Sequence, residues 1–312
     1  MPHSISGKVV LITGPARGIG EETARQLAAR GARLSLVGME PERLAALAGE
    51  LGAGHAWFEC DVTDQAALDR AAAGTADALG GIDVVVANAG IASNGSVAVT
   101  PVEVLARVIE VNLTGVVRTV KTTLPHVTGR KGYYLLVSSA AALAALPGLS
   151  AYAASKSGVE FFGNALRLEV AHKGVAVGTA HPAWIDTDMV RDTRRDLESF
   201  NALLRTLPGP FGSYTSVQAC AAAFVDGIER RARKVFVPKS LGPLSAVRQL
   251  FMSRLSDRFS ARTARRIIPR LEREVEALGR SFGEHCVEAG DSRSHAETQR
   301  HGVGPVSGTG RG

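Results

Sequence analysis

Five consecutive residues, Tyr152-Ala153-Ala154-Ser155-Lys156, set a phenol and an ammonium four positions apart. On a helix that spacing is just over one turn, so the two groups share a face. A phenol ordinarily ionises near pH ~10. An ammonium beside it favours the phenolate, and so does any further positive charge held in the same dry cleft. Lowering the phenol by ~2–3 pH units takes roughly 3–4 kcal/mol of differential interaction, and makes Tyr152 a usable acid or base at neutral pH. A Tyr-x3-Lys pair alone is usually structural, so its company decides. Thirteen residues upstream, Ser138-Ser139 follows the run Tyr133 to Val137, where a hydroxyl could meet a substrate oxygen.

A second group of residues could hold an anion. Thr13-Gly14-Pro15-Ala16-Arg17-Gly18-Ile19-Gly20 follows the apolar run Val9 to Ile12 and leads directly into a helical stretch. Glycines there permit a tight turn and a close approach of backbone to a pyrophosphate. The first N–H groups of the following helix then face the anion. A strand before and a helix after make this a nucleotide-binding loop rather than a plain connection.

The elements that must position these groups alternate along the chain. Apolar runs recur at Val9 to Ile12, Leu34 to Val37, Ala56 to Cys60, Val84 to Val86, Leu135 to Val137, Val175 to Val177 and Val235 to Val237. Between them lie Ala/Leu/Glu/Arg stretches of helical spacing, such as Glu21 to Arg30 and Ala66 to Leu79. The pattern predicts an α/β fold, a doubly wound parallel sheet of seven strands of the Rossmann type, with a helical C-terminal extension. Near-continuous apolar strands fit a sheet covered on both faces. In such sheets ligands bind at the carboxyl ends of the strands, which is where Ser139 falls.

With those motifs in place the chain resembles the short-chain dehydrogenases/reductases, in their short single-domain form with an added C-terminal extension. TGPARGIG resembles that family's TGxxxGxG loop, and the Ser139–Tyr152 spacing is the family's own. The resemblance runs from residue 7 to about 240. It implies that Tyr152 moves the hydroxyl proton, that Lys156 lowers the tyrosine pKa and binds nicotinamide ribose, and that Ser139 orients the substrate oxygen. It implies that Asn112, mid-helix in Val111-Asn112-Leu113, holds a water that relays protons to the lysine. Asn88-Ala89-Gly90 resembles the family's sheet-stabilising turn near the cofactor, and Asp61-Val62 its adenine-contacting pair. Residue types alone leave Asn112 open to being a locally bonded amide, and Asp61 a capping or loop carboxylate. Pro182 and Thr187 match the segment that binds the nicotinamide carboxamide, although Ala183 stands where the family usually has glycine. The cofactor-binding set is thus Gly14, Arg17, Gly18, Ile19, Gly20, Asp61, Val62, Asn88, Ala89, Gly90, Tyr152, Lys156, Pro182 and Thr187.

The implied activity is an NAD(P)-dependent transfer of hydride between nicotinamide and a carbonyl/secondary alcohol pair. The alternative is a catalytically silent cofactor-binding regulatory or scaffold protein; the full set Asn112, Ser139, Tyr152 and Lys156 argues against it. The end of the second strand should lie beside the adenosine ribose, where an acid selects NAD. That position is Gly38, with Met39 next, and Arg17 supplies a base, so NADP is favoured over NAD. Apolar residues between Ser139 and Tyr152 (Leu143, Leu146, Leu149) and beyond (Trp184, Met189, Phe200, Leu203, Leu204, Leu207, Phe211) suit a lipophilic substrate or simply pack a lid.

The chain has 312 residues, 45% of them hydrophobic and 21% charged, which excludes a wholly disordered or low-complexity protein. The expected organisation is 1–243 for the dinucleotide-binding and catalytic unit, 244–285 for a basic amphipathic extension, and 286–312 for a disordered tail. The formal charge of +6 is uneven: residues 228–270 carry 12 Lys and Arg against 2 acids. Without an aromatic array, this block gives no reason to expect nucleic acid. The spacing predicts two amphipathic helices broken near Pro269. They could cover their own subunit or a partner in a homo-oligomer. They could instead contact an anionic membrane through Arg254, Arg258, Arg262, Arg265 and Arg266, or form a mobile lid or solvated helix. Three scattered cysteines, Cys60, Cys220 and Cys286, suggest neither a disulfide framework nor a metal site. No secretory signal or transmembrane stretch is visible, so the expected setting is cytoplasmic, with a small molecule as the partner.

Overall fold

The computed structural model describes residues 3–283 apart from 145, 208–211, 213 and 252. The expectations for Phe211 and for the tail fall outside the described part, as do the side chains of Leu250, Phe251, Leu255 and Phe259.

The chain opens with β1 (Val9–Thr13), α1 (Gly18–Ala29), β2 (Arg33–Gly38), α2 (Pro41–Leu51), β3 (Ala56–Glu59), α3 (Gln65–Leu79) and β4 (Val84–Ala87). It continues with α4 (Val102–Ile109), α5 (Gly115–Gly129), β5 (Tyr133–Val137), α6 (Ser150–Glu169) and β6 (Ala176–Pro182). A short β7 (Trp184–Ile185), α7 (Asp188–Asp196), α8 (Glu198–Leu204) and β8 (Tyr214–Thr215) lead to α9 (Val217–Glu229) and β9 (Lys234–Val237). The extension holds α10 (Leu241–Ala246), α11 (Arg248–Phe251) and α12 (Arg254–Leu278).

Seven strands form one parallel sheet in the order β3-β2-β1-β4-β5-β6-β9. They correspond to the seven apolar runs of the sequence. Side chains alternate between the two faces, because successive residues of a strand point opposite ways. Val10 and Ile12 join Leu27 of α1, Leu44 of α2 and Phe224 of α9 in one core. Leu11 and Val85 join Leu68 of α3, Val120 of α5 and Val159 of α6 in the other. Strand order reverses between β1 and β4, so the loops leaving their carboxyl ends part and open a crevice.

Two features depart from the expectation. β7 and β8 pair as a separate two-stranded sheet, Trp184 beside Tyr214, too short to give a sequence signal. And α12 runs unbroken through Pro269. Pro269 and Arg265 are both exposed, so the hydrogen bond the proline cannot make is lost on the solvent side. On the inner side Leu271 and Val275 pack with Leu197, Phe200 and Leu204, keeping the helix continuous across the site of the expected break. The extension therefore lies on α8 of its own chain. None of the described helices is long and apolar enough to cross a membrane.

Candidate active site

The crevice between β1 and β4 is a cleft of about 500 Å³. Gly14 turns with φ +65°, and a Cβ there would stand 2.9 Å from the Ala89 backbone. A Cβ at Gly20 would come within 2.4 Å of the Gly14 carbonyl and 2.6 Å of Asn88 Nδ2. Only glycine lets α1 begin so close to the loop. The start of α1 carries no side-chain cap, so its first N–H groups remain free to bond an anion in the cleft. Asn88 fixes the loop from the other side: Nδ2 donates to the carbonyls of Thr13 (3.1 Å) and Gly14 (3.0 Å). The backbone N–H groups of Asn88 and Ala89 both donate to Thr13 Oγ1. Gly14, Arg17, Gly18, Ile19, Gly20, Asp61, Val62, Asn88, Ala89, Gly90, Tyr152, Lys156, Pro182 and Thr187 all line this cleft. A glycine cradle with an uncapped helix start suits the pyrophosphate of a dinucleotide.

Asp61 is almost wholly buried. Its Oδ1 accepts from Thr63 N (2.9 Å) and Thr63 Oγ1 (2.8 Å), and its Oδ2 from Arg107 Nη2 (3.1 Å). Burial pushes its pKa up, but the bonds from Thr63 and Arg107 outweigh that and hold it below the usual aspartate value. The cap of α3 is Asp64, whose side chain accepts from Ala67 N, so Asp61 is left for the cleft wall. At the end of β2, Arg17 Nε donates to Glu40 Oε2 at 3.3 Å, and Arg17 Nη2 meets Glu40 Oε1. Gly38 leaves the usual acid position empty, but Glu40, two residues beyond it, folds back onto the glycine loop.

The chemistry-bearing residues gather where the cleft meets the carboxyl end of β5. Lys156 is 4% exposed, and its Nζ donates to the Val137 carbonyl at 3.0 Å. Burial pulls its pKa down to about 8. The ammonium sits 5.8 Å from the centre of the Tyr152 ring. Tyr152 keeps part of its surface open. Desolvation pushes its phenol above the ordinary value, and a hydrogen bond with the Ser139 side chain pulls the other way. From the protein's own groups, burial prevails at this phenol. Ser139 also accepts from Ala141 N, and the hydroxyl of Ser138 donates to the Lys156 carbonyl, so the end of β5 is tied to α6.

Asn112 is fully buried in a π-helical turn, Glu110–Thr114, between α4 and α5. Its Oδ1 accepts from Ile91 N (2.8 Å), while Nδ2 donates to Ile91 O (2.9 Å) and Ser155 Oγ (3.1 Å). A Cβ at Gly90 would lie 3.1 Å from Asn112 Oδ1 and 3.2 Å from Lys156 Nζ, so these three residues converge. Geometry therefore makes the Asn112 side chain a clamp between the turn after β4 and α6.

Behind Ser139 lies a residue with no sequence signal. His181 is buried, stacked on Phe236 at 5.2 Å, with Nε2 3.0 Å from Thr179 Oγ1 and Nδ1 3.4 Å from the Ser139 carbonyl. Burial pushes its pKa down to about 4, so the imidazole is neutral at pH 7. Arg107 and Phe282 also line the cleft and were not foreseen. Arg107 stands five residues before Asn112 on α4, but only the fold brings it to Asp61.

A second cavity of about 450 Å³ adjoins the cleft and shares Tyr152, Ala183, Met189 and Val190 with it. Ser139 and Tyr152 stand at one end, and Leu146, Leu149, Trp184, Phe200, Leu203 and Leu207 supply apolar wall. Leu143 and Leu204 pack elsewhere in the interior.

Comparison with known proteins agrees with this fold. The family model described as short chain dehydrogenase matches residues 8–198. Dehydrogenase/reductase SDR family member 7B of Bos taurus is 36% identical over 195 residues, 59% of this chain and 60% of that protein, so the chain spans about three fifths of that relative. The (-)-isopiperitenol/(-)-carveol dehydrogenase of Mentha piperita mitochondria is 33% identical over 215 residues, 66% of this chain and 81% of that one. The crystal structure of 3-ketoacyl-(acyl-carrier-protein) reductase from Brucella melitensis, complexed with NADH, superposes with a TM-score of 0.67 at 26% identity, covering 75% of this chain and 98% of that one. The chain belongs to the short-chain dehydrogenase/reductase family and is an NAD(P)-dependent oxidoreductase.

Proposed function

We propose that the protein interconverts a lipophilic ketone and its secondary alcohol, with NAD(H) as the preferred cofactor. The observation that carries this reading is the apolar cavity, which opens onto the dinucleotide cleft at Tyr152. Each CH₂ buried there contributes about 0.8 kcal/mol. The terpenoid alcohol in the name of the Mentha relative is of the same lipophilic class.

The cleft would hold a nicotinamide, which would supply or accept the hydride at the substrate carbon. Ser139 donates to the substrate oxygen and holds it against Tyr152. In reduction the Tyr152 hydroxyl gives its proton to that oxygen; in oxidation the phenolate takes it back. Lys156, charged below pH about 8, stabilises the phenolate left behind. Asn112 keeps Ile91 and Ser155 in place around it, so any relaying water must use its spare oxygen lone pair or the backbone. Gly14, Gly18, Ile19 and Gly20 would hold the pyrophosphate, Asp61 and Val62 would border the adenine, and Thr187 and Pro182 the carboxamide. The Arg17–Glu40 pair supports NAD: the carboxylate can accept from a ribose 2′-hydroxyl and repels a 2′-phosphate, while Arg17 is already neutralised.

Partner contacts are part of the same proposal. Phe161 and Leu168 on α6 and Val117 on α5 are exposed large apolar residues, which supports self-association through these two helices.

The test is a panel of hydrophobic ketones and alcohols assayed with NAD(H) and NADP(H) in turn, following reduced nicotinamide by absorbance. Tyr152→Phe should lower kcat by about 10²–10⁴-fold while NADH still binds. Activity near wild type in that variant, or activity confined to small hydrophilic substrates, overturns the reading.

A further inference from the structure

Polar groups in the apolar cavity can be accounted for one by one. At the reacting end stand Ser139 and Tyr152. Asn94 Nδ2 donates to Thr193 Oγ1, and Thr193 Oγ1 donates to the Met189 carbonyl. Thr206 Oγ1 donates to the Leu203 carbonyl. Two lining hydroxyls remain, Ser260 and Thr263, both from α12. Among the described residues neither hydroxyl bonds the protein. They are three positions apart and so share one face of the helix. Ser260 is exposed and Thr263 half-buried, which places them at the cavity's rim.

The helix that carries them is held firmly. Ser96 Oγ donates to Glu272 at 2.6 Å, Ser199 N donates to Glu274 at 3.0 Å, and Arg280 pairs with Asp196 at 2.7 Å. Leu271 and Val275 are buried against α8. Beyond the helix, Asn94 N donates to the Ser281 carbonyl and Ser93 bridges to Phe282. Two unpartnered hydroxyls on a fixed helix form a hydrogen-bonding site rather than a loose cover. Among the described lining residues none is charged, so a charged group entering here would lose water without gaining a counter-ion.

We propose that Ser260 and Thr263 are specificity-determining residues, which select a lipophilic ketone or alcohol bearing a second, uncharged hydroxyl or carbonyl away from the reacting carbon. This rests on the reading of the cavity as the substrate pocket. The basic extension thereby serves the active site of its own chain, supplying polar recognition that the apolar walls lack.

The test uses alkan-2-ones of roughly six to twelve carbons and the same ketones carrying a terminal hydroxyl, a range suited to a drug-sized cavity. Binding to the full chain with NADH is read from Trp184 fluorescence in a Trp57→Phe background, Trp57 being the other of the two tryptophans. Turnover is read in parallel. At the length that spans the cavity, the hydroxylated ketone should be favoured in kcat/KM by about tenfold. Ser260→Ala with Thr263→Val should erase that ratio by removing the gain for the hydroxylated ketone. Ser260→Thr with Thr263→Ser should keep it. If plain alkanones bind and react but a terminal hydroxyl brings no gain at any length, or if the gain survives the Ala/Val pair, this inference is overturned and the substrate reading stands. If neither series quenches Trp184 or reacts, the substrate reading fails and takes this one with it.

Discussion

Arg17 and Glu40 meet where the cleft borders the end of β2, Nε to Oε2 at 3.3 Å, joining the glycine loop to the residue two places beyond that strand. Each is about a fifth exposed, so the pair is partly shielded from water. Glu40→Gln should remove the repulsion toward a 2′-phosphate and release Arg17 to bind it. The ratio of kcat/KM for NADP(H) over NAD(H) should rise by about tenfold, the effect of one hydrogen bond to a charged group. Gly38→Asp should move the ratio the other way. An unchanged ratio in both variants would refute this account of the cleft.

Lys156 predicts opposite pH trends for stability and activity. Its pKa falls from 10.5 unfolded to about 8 in the folded protein, because burial penalises the ammonium. Between those values the unfolded chain binds more protons than the native one, so stability rises with pH across that window. The full difference is on the order of 3 kcal/mol. Urea unfolding without added dinucleotide should show Lys156→Met gaining on wild type near pH 7, with the gap narrowing towards pH 10. Turnover, which needs the charged lysine, should instead decline above pH about 8. A gap that does not vary with pH would contradict the assigned cause.

Glu160 lies one turn beyond Lys156 on α6 and is 1% exposed, with Lys234 Nζ at 2.7 Å and Arg248 Nη1 at 2.9 Å. Burial pushes its pKa up, but Lys234 and the surrounding positive charge outweigh that and lower it. The stability it contributes is present above the unfolded glutamate pKa and is lost as pH falls through the lower folded value. Glu160→Ala should cost roughly 3 kcal/mol in urea unfolding at pH 7, since it strands two partly buried cations. A loss under about 0.5 kcal/mol, the size of a surface change, would show the triad to be inconsequential.

Gly20→Ala tests the cradle. Its methyl would press on the Gly14 carbonyl and Asn88 Nδ2, so the start of α1 must back away from the loop. Overpacking of this kind costs typically ~1–3 kcal/mol, and NADH affinity measured by fluorescence should weaken by about tenfold or more. Unchanged affinity would mean that the loop does not hold the pyrophosphate.

Local patterns determined most of the fold and the reacting groups. Seven apolar runs became seven strands because parallel strands are buried on both faces and leave an unbroken apolar record. The glycine loop, Ser139, Tyr152 and Lys156 were legible because each sits at a fixed distance from a strand end or a helix start. Other features needed the chain to close on itself. Glu40 reaches Arg17, His181 backs Ser139 and Arg107 holds Asp61 only through contacts that sequence spacing does not encode. Likewise the continuous α12 is set by Leu271 and Val275 against α8, where tertiary packing outweighs the local effect of Pro269. Burial of the phenol, which raises its pKa against the pull expected from a neighbouring ammonium, is a property of the whole enclosing shell and has no signature in Tyr-x3-Lys.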